Sequence, residues 1–125
     1  MNRIILYIED NDQNYYLVSY ILKARGYEVT RARDGREGIE IAVATSPDLI
    51  LLDIQLPVMD GYATARELRK RQNLDATPII ALTSYAMAGD REKALGAGCN
   101  GYIEKPINTT TFTSQIEQFL PEQGT

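Results

Sequence analysis

Histidine is absent from the 125 residues. That excludes phosphohistidine chemistry, imidazole general bases and imidazole metal ligands. If the chain handles phosphate, it receives it on another side chain. Cysteine occurs once, at Cys99, so no intramolecular disulfide can form, and a reducing compartment fits. An excess of positive charge is also lacking. Thirteen Lys and Arg against 17 Asp and Glu leave a formal net charge of −4, which weighs against nucleic acid as the main partner, because phosphate backbones call for a basic surface. Long hydrophobic runs are missing as well. The run Ile4-Ile5-Leu6-Tyr7-Ile8 stops at Glu9-Asp10, too short for a signal h-region or a membrane span. The expectation is a cytoplasmic protein with no direct contact to nucleic acid or membrane.

What is present describes an ordinary globular chain, with 44% apolar and 24% charged residues at the size of one domain. Apolar runs alternate with helical patterns. Strands are expected at Ile4 to Ile8, Glu28 to Ala32, Asp48 to Asp53, Pro78 to Thr83 and Gly101 to Glu104. Asp12 is a candidate N-cap for a first helix carrying Tyr16, Leu17, Tyr20, Ile21 and Ala24, which Gly26 stops. Asp34-Gly35 is a turn or cap before a second helix through Ile39, Ala42 and Val43, which Ser46-Pro47 ends. Ala65, Leu68 and Arg69 lie on a third helix. A fourth runs from about Ala88 to Ala97, a fifth from Thr110 to Leu120, and Pro121 to Thr125 form a tail. Five strand–helix units in strict alternation predict one α/β domain over residues 1–125, a doubly wound parallel sheet of flavodoxin-like (βα)5 type with strand order 2-1-3-4-5.

In such sheets the site lies beyond the carboxyl ends of the strands. Those ends are chemically specific here: Glu9-Asp10 after the first strand, Asp53 at the end of the third, Thr83 at the end of the fourth, and Lys105-Pro106 after the fifth. In the expected order the first and third strands are neighbours, so Glu9, Asp10 and Asp53 converge. Three crowded carboxylates repel, which raises a pKa, recruits a cation, or both. Oxygen ligands with no His or Cys favour a hard ion, and Mg²⁺ is the usual one where phosphate is involved. A carboxylate nucleophile, a metal, a lysine and a threonine hydroxyl together describe an acyl-phosphate site.

These features resemble the receiver domain of two-component response regulators. The likeness spans essentially the whole chain. It rests on Glu9-Asp10-Asn11, on Asp53, on Leu56-Pro57-Val58-Met59-Asp60-Gly61, on Thr83-Ser84 and on Lys105-Pro106. Glu9-Asp10-Asn11-Asp12-Gln13-Asn14, Ala86-Met87-Ala88-Gly89-Asp90-Arg91 and Lys105-Pro106-Ile107 are most similar to the stand-alone receivers of the DivK type. The resemblance implies that Asp53 is the phosphoacceptor. Asp10, Asp53 and the main-chain carbonyl of Gln55 would ligate Mg²⁺, and Glu9 would act through a bound water. Thr83 and Lys105 would engage the phosphoryl group, the Lys105-Pro106 bond would be cis, and Tyr102 would be a switch aromatic moving inward with Thr83. The phosphodonor would be a histidine kinase or histidine phosphotransfer protein. The output would be altered binding of a downstream effector through the fourth helix, fifth strand and fifth helix, in a monomer or weak dimer. Gln55 and Tyr85 would sit at the mouth of the site, where a bulky Tyr85 would slow self-dephosphorylation.

Each residue has a plainer reading. Glu9 and Asp10 alone would be a solvated loop, Thr83 strand filler and Lys105 a loop lysine. Cys99 reads as a small buried hydrophobe, Tyr15, Tyr16 and Tyr20 as packing, and Arg31, Arg33 and Arg36 as a solvated face. Tyr7 stands where a small branched residue is common in the family. The main alternative function is a phosphorylation-independent binding module. A flavin carrier of this fold would need a hydroxyl- and glycine-rich loop in place of Glu9 to Asp12. A haloacid-dehalogenase-type phosphatase would typically carry a second Asp where Gln55 stands.

Overall fold

The apolar runs over residues 4–8, 49–53 and 79–83 form strands buried on both faces, and their side chains alternate between two separate cores. A computed structural model describes residues 2–84 and 87–121. The strands are β1 (Ile4–Ile8), β2 (Glu28–Ala32), β3 (Leu49–Asp53), β4 (Ile79–Thr83) and β5 (Gly101–Glu104). They pair in parallel in the order β2-β1-β3-β4-β5, as the alternation implied. The helices are α1 (Asp12–Ala24), α2 (Gly35–Thr45), α3 (Gly61–Arg69), α4 (Asp90–Gly96) and α5 (Phe112–Glu117), with a 3-10 turn over Gln72–Leu74. Leu6, Ile8, Ile50, Leu52 and Ala81 meet Ala42, Ala65, Leu68 and Ala94 of α2, α3 and α4 on one face. Ile5, Tyr7, Leu51, Ile80 and Leu82 meet Val18, Leu22, Phe112 and Ile116 of α1 and α5 on the other.

Several boundaries differ from expectation. The N-cap of α1 is Asn11, whose side chain accepts the Asn14 N–H at 2.8 Å. Asp12 is already helical, and its carboxylate turns instead to Arg31 at 2.9 Å and Arg33 at 3.1 Å. α4 begins at Asp90 rather than Ala88, because Gly89 takes φ +89° and the Asp90 carboxylate ties back to the Met87 N–H at 2.8 Å. α5 begins at Phe112 rather than Thr110. Asn108 holds the Thr110 N–H at 2.9 Å, and the β-branched Thr109-Thr110-Thr111 run resists helix. The same helix ends at Glu117 because Phe119 and Leu120 close tighter i→i−3 bonds to Ile116 and Glu117.

Two expectations about surface side chains are corrected. Tyr15 is half-buried and Tyr16, though 63% exposed, packs edge-on against the Tyr15 ring with centroids 5.8 Å apart, whereas Tyr20 is 76% exposed, so it is Tyr20 that departs from the packing expectation. Arg33 and Arg36 are solvated as expected. Arg31 is not: its side chain is 12% exposed and lies 4.5 Å over the Tyr15 ring. Cys99 is buried, and burial pushes its thiol up to about 11, which leaves it an inert core side chain.

Candidate functional site

The register places the site. Ile8 of β1 lies beside Leu52 of β3, so the next residues, Glu9 and Asp53, emerge together at the carboxyl edge. Glu9 is fully buried and Asp53 is 4% exposed, while Asp10 faces solvent. One carboxylate oxygen from each of the three lies within 4.8 Å of the others. Lys105, delivered by the turn after β5, bridges the two buried acids: its Nζ is 2.7 Å from Glu9 Oε1 and 3.4 Å from Asp53 Oδ2. The Lys105-Pro106 peptide is cis.

Glu9 and Asp53 divide their charge unequally. Burial raises Asp53, the hydrogen bond with Glu9 and repulsion by its charge raise it further, and Lys105 offsets only part, so its pKa stands at about 7. Burial acts on Glu9 too, but hydrogen bonds with Asp53, Lys105 and Tyr7 together outweigh it and hold Glu9 below the ordinary range. Of the two, Glu9 therefore holds its charge the more readily, and Asp53 is the one pushed toward its protonated form. Asp53 Oδ1 also accepts the Gln55 N–H at 3.0 Å.

The donor set fits a hard divalent cation. It offers oxygen alone, carries more negative than positive charge, and has one exposed member, Asp10, through which an ion can enter. Thr83 is buried at the end of β4. The Gln55 side chain spans the cleft, donating to Thr83 Oγ1 at 2.8 Å and accepting the Ser84 N–H at 3.2 Å. Tyr102, on β5, is half-buried, with its hydroxyl shielded close to Thr83 and the Asp90 carboxylate. Tyr85 lies outside the described residues. Two site neighbours escaped the sequence reading. Tyr7 donates its hydroxyl to Glu9 Oε1 at 2.9 Å, and Arg31 Nε donates to the Glu9 main-chain carbonyl at 3.2 Å. The one signal was Tyr7 itself, a large polar-tipped residue in a strand otherwise filled by Ile and Leu.

This arrangement of fold and strand-end residues belongs to a known class. The chain is a member of the response regulator receiver domain family, whose model matches residues 5–117. Phosphorylation-dependent signalling is the standard function of that family. The polar-differentiation response regulators DivK of Brucella ovis and Brucella abortus are each 39% identical to it over 120 residues, covering 96% of this chain and 98% of theirs. The chemotaxis protein CheY4 of Vibrio cholerae superposes with a TM-score of 0.91 at 29% identity, over 96% of this chain and 100% of that one. The receiver domain of a sensor histidine kinase from Pseudomonas aeruginosa, solved with a magnesium ion coordinated in its active-site cleft, superposes with a TM-score of 0.88 at 39% identity, over 95% and 98% of the two chains. Among the described residues no helix is long and apolar enough to cross a membrane.

Proposed function

We propose that this chain is a cytoplasmic phosphorylation switch that accepts a phosphoryl group on Asp53 from a histidine kinase or histidine phosphotransfer protein. The observation that carries the reading is the burial of Asp53 at the end of β3, in contact with both Glu9 and Lys105. In the transfer, an Asp53 carboxylate oxygen forms a bond to phosphorus as the donor's phosphorus–nitrogen bond breaks, and the donor nitrogen takes up a proton. Hydrolysis returns the carboxylate and releases inorganic phosphate, with no other enzymatic activity.

Asp10, Asp53 and the Gln55 main-chain carbonyl would hold Mg²⁺, with Glu9 acting through a bound water. When bound, the ion supplies positive charge against the incoming phosphoryl oxygens. The chain's own residues do the rest. Lys105 leaves Glu9 to pair with a phosphoryl oxygen, and Thr83 exchanges its Gln55 contact for another. Tyr102, packed close to Thr83, follows that movement and changes the face built from α4, β5 and α5, where the downstream effector binds. On α1, the exposed Tyr16, Leu17 and Tyr20 form an apolar strip beside the site that suits the phosphodonor protein. The protein works as a monomer or weak dimer.

Beryllium trifluoride, which stands in for a phosphoryl group on a carboxylate, tests the reading. With Mg²⁺ it is expected to shift the amide resonances of Thr83, Tyr102 and Lys105 in the wild-type protein and not in Asp53→Asn. Unchanged spectra in the wild type would reduce the protein to a binding module that does not depend on phosphorylation.

A further inference from the structure

Tyr7 is a buried polar side chain with no part in the phosphoryl transfer itself. Strand geometry sends residues two apart to the same side, so Tyr7 in β1 lies beneath Glu9. Its ring is fully buried in the core shared with α1 and α5. Its hydroxyl donates to Glu9 Oε1 at 2.9 Å, and Lys105 Nζ donates to that same oxygen at 2.7 Å. Glu9 Oε2 accepts the Asn11 N–H at 3.2 Å. A buried carboxylate oxygen stripped of its donors costs more than a single hydrogen bond contributes. Lys105 therefore leaves Glu9 readily only if another donor stays behind.

We infer that Tyr7 is a positioning residue whose fixed hydroxyl holds Glu9 Oε1 and so frees Lys105 to move to the phosphoryl group on Asp53. This rests on the proposed function and deepens it. The surroundings make Tyr7 a stationary donor. Its ring stacks on Tyr15 with centroids 6.0 Å apart and planes 25° apart. Arg31 lies 4.5 Å over the Tyr15 ring and donates to the Glu9 main-chain carbonyl. Tyr7 and Arg31 are themselves register partners across β1 and β2. Glu9 is thus held by its side chain through Tyr7 and by its backbone through Arg31, and neither contact needs Lys105. The competing view is that Tyr7 is a core aromatic whose hydroxyl found a convenient acceptor.

A double-mutant cycle separates the two. Calorimetry measures the beryllium trifluoride dissociation constant at saturating Mg²⁺ for wild type, Tyr7→Phe, Lys105→Met and the double variant. Phe keeps every ring contact and removes only the donor. The expected result is about tenfold weaker binding for Tyr7→Phe, the scale of losing a group that orients a metal-site ligand, and less than a twofold further loss in the Lys105→Met background. Equal losses in both backgrounds, or none in either, overturn the inference. If Tyr7→Phe unfolds at the assay temperature, wild-type protein carries the test. Solvent exchange of the Tyr7 hydroxyl proton stays slow in the beryllium trifluoride complex if the contact to Glu9 persists, and faster exchange there contradicts it. Wild-type protein that binds no beryllium trifluoride sinks the proposed function itself, and the inference with it.

Discussion

A carboxyl group that attacks phosphorus must be ionised, and at Asp53 burial and the neighbouring Glu9 work against that. The consequence for stability has a definite sign. The folded protein keeps the Asp53 proton up to about pH 7, whereas an unfolded chain releases it near the ordinary value of 3.8. Across that window the native state binds more protons, so its stability falls as pH rises and is lowest above pH 7. Metal-free wild type is therefore expected to melt at a higher temperature at pH 5.5 than at pH 8. Asp53→Asn should be the more stable protein at pH 8, by on the order of 2 kcal/mol. Thermal melts in chelator at the two pH values check this, and a wild type that gains stability from pH 5.5 to 8 contradicts it. Glu9, Asp10, Asp53, Thr83 and Lys105 were legible in sequence because each stands where a hydrophobic run stops. Arg31 was not. Its pairing with Tyr7 depends on the register between β1 and β2, and in a string of letters an arginine between Thr30 and Ala32 looks like solvated charge.

At the scale of elements, the β3–α3 connection is the most constrained segment. The Met59 N–H bonds to Pro57 O at 2.7 Å, closing a three-residue turn with Val58 at φ +71°. A β-branched residue is strained there, and Val58 is 81% exposed, so packing does not compensate. Val58→Gly is expected to raise stability by about 1 kcal/mol in denaturant unfolding, and a loss would contradict the strain. Three residues on, α3 starts hard against the strand it follows. A Cβ on Gly61 would sit 2.6 Å from Ile54 Cα and 2.7 Å from the Asp53 main-chain oxygen, both backbone atoms that cannot swing aside. Gly61→Ala should cost about 2–3 kcal/mol and weaken Mg²⁺ binding, because the displaced backbone carries Asp53. Unchanged melting and Mg²⁺ affinity would show that the loop yields freely. In the sequence, Leu56 to Gly61 stands out only as one of the motifs of the receiver resemblance. The turn and the close approach depend on where α3 docks, which no local pattern encodes. The starts of α4 and α5 were misplaced for a related reason: Asp90 and Asn108 spend their side chains on nearby backbone N–H groups.

For the whole molecule, strict alternation of apolar runs with helical patterns gave the parallel sheet, right-handed crossovers narrowed the topologies, and the common flavodoxin-like order for five units is the one found. That order sets Glu9 beside Asp53 and brings Lys105 across from β5, so fold and site were legible together. The second layer, in which Tyr7 and Arg31 steady Glu9 from beneath, became visible only once the sheet was assembled. Both layers serve the phosphoryl transfer to Asp53 proposed above. Intact mass after incubation with a small-molecule phosphodonor and Mg²⁺ tests it most directly. The expected result is a gain of a single phosphoryl group in wild type, lost with chelator and lost in Asp53→Asn. No gain under any condition, or an equal gain in Asp53→Asn, would contradict it.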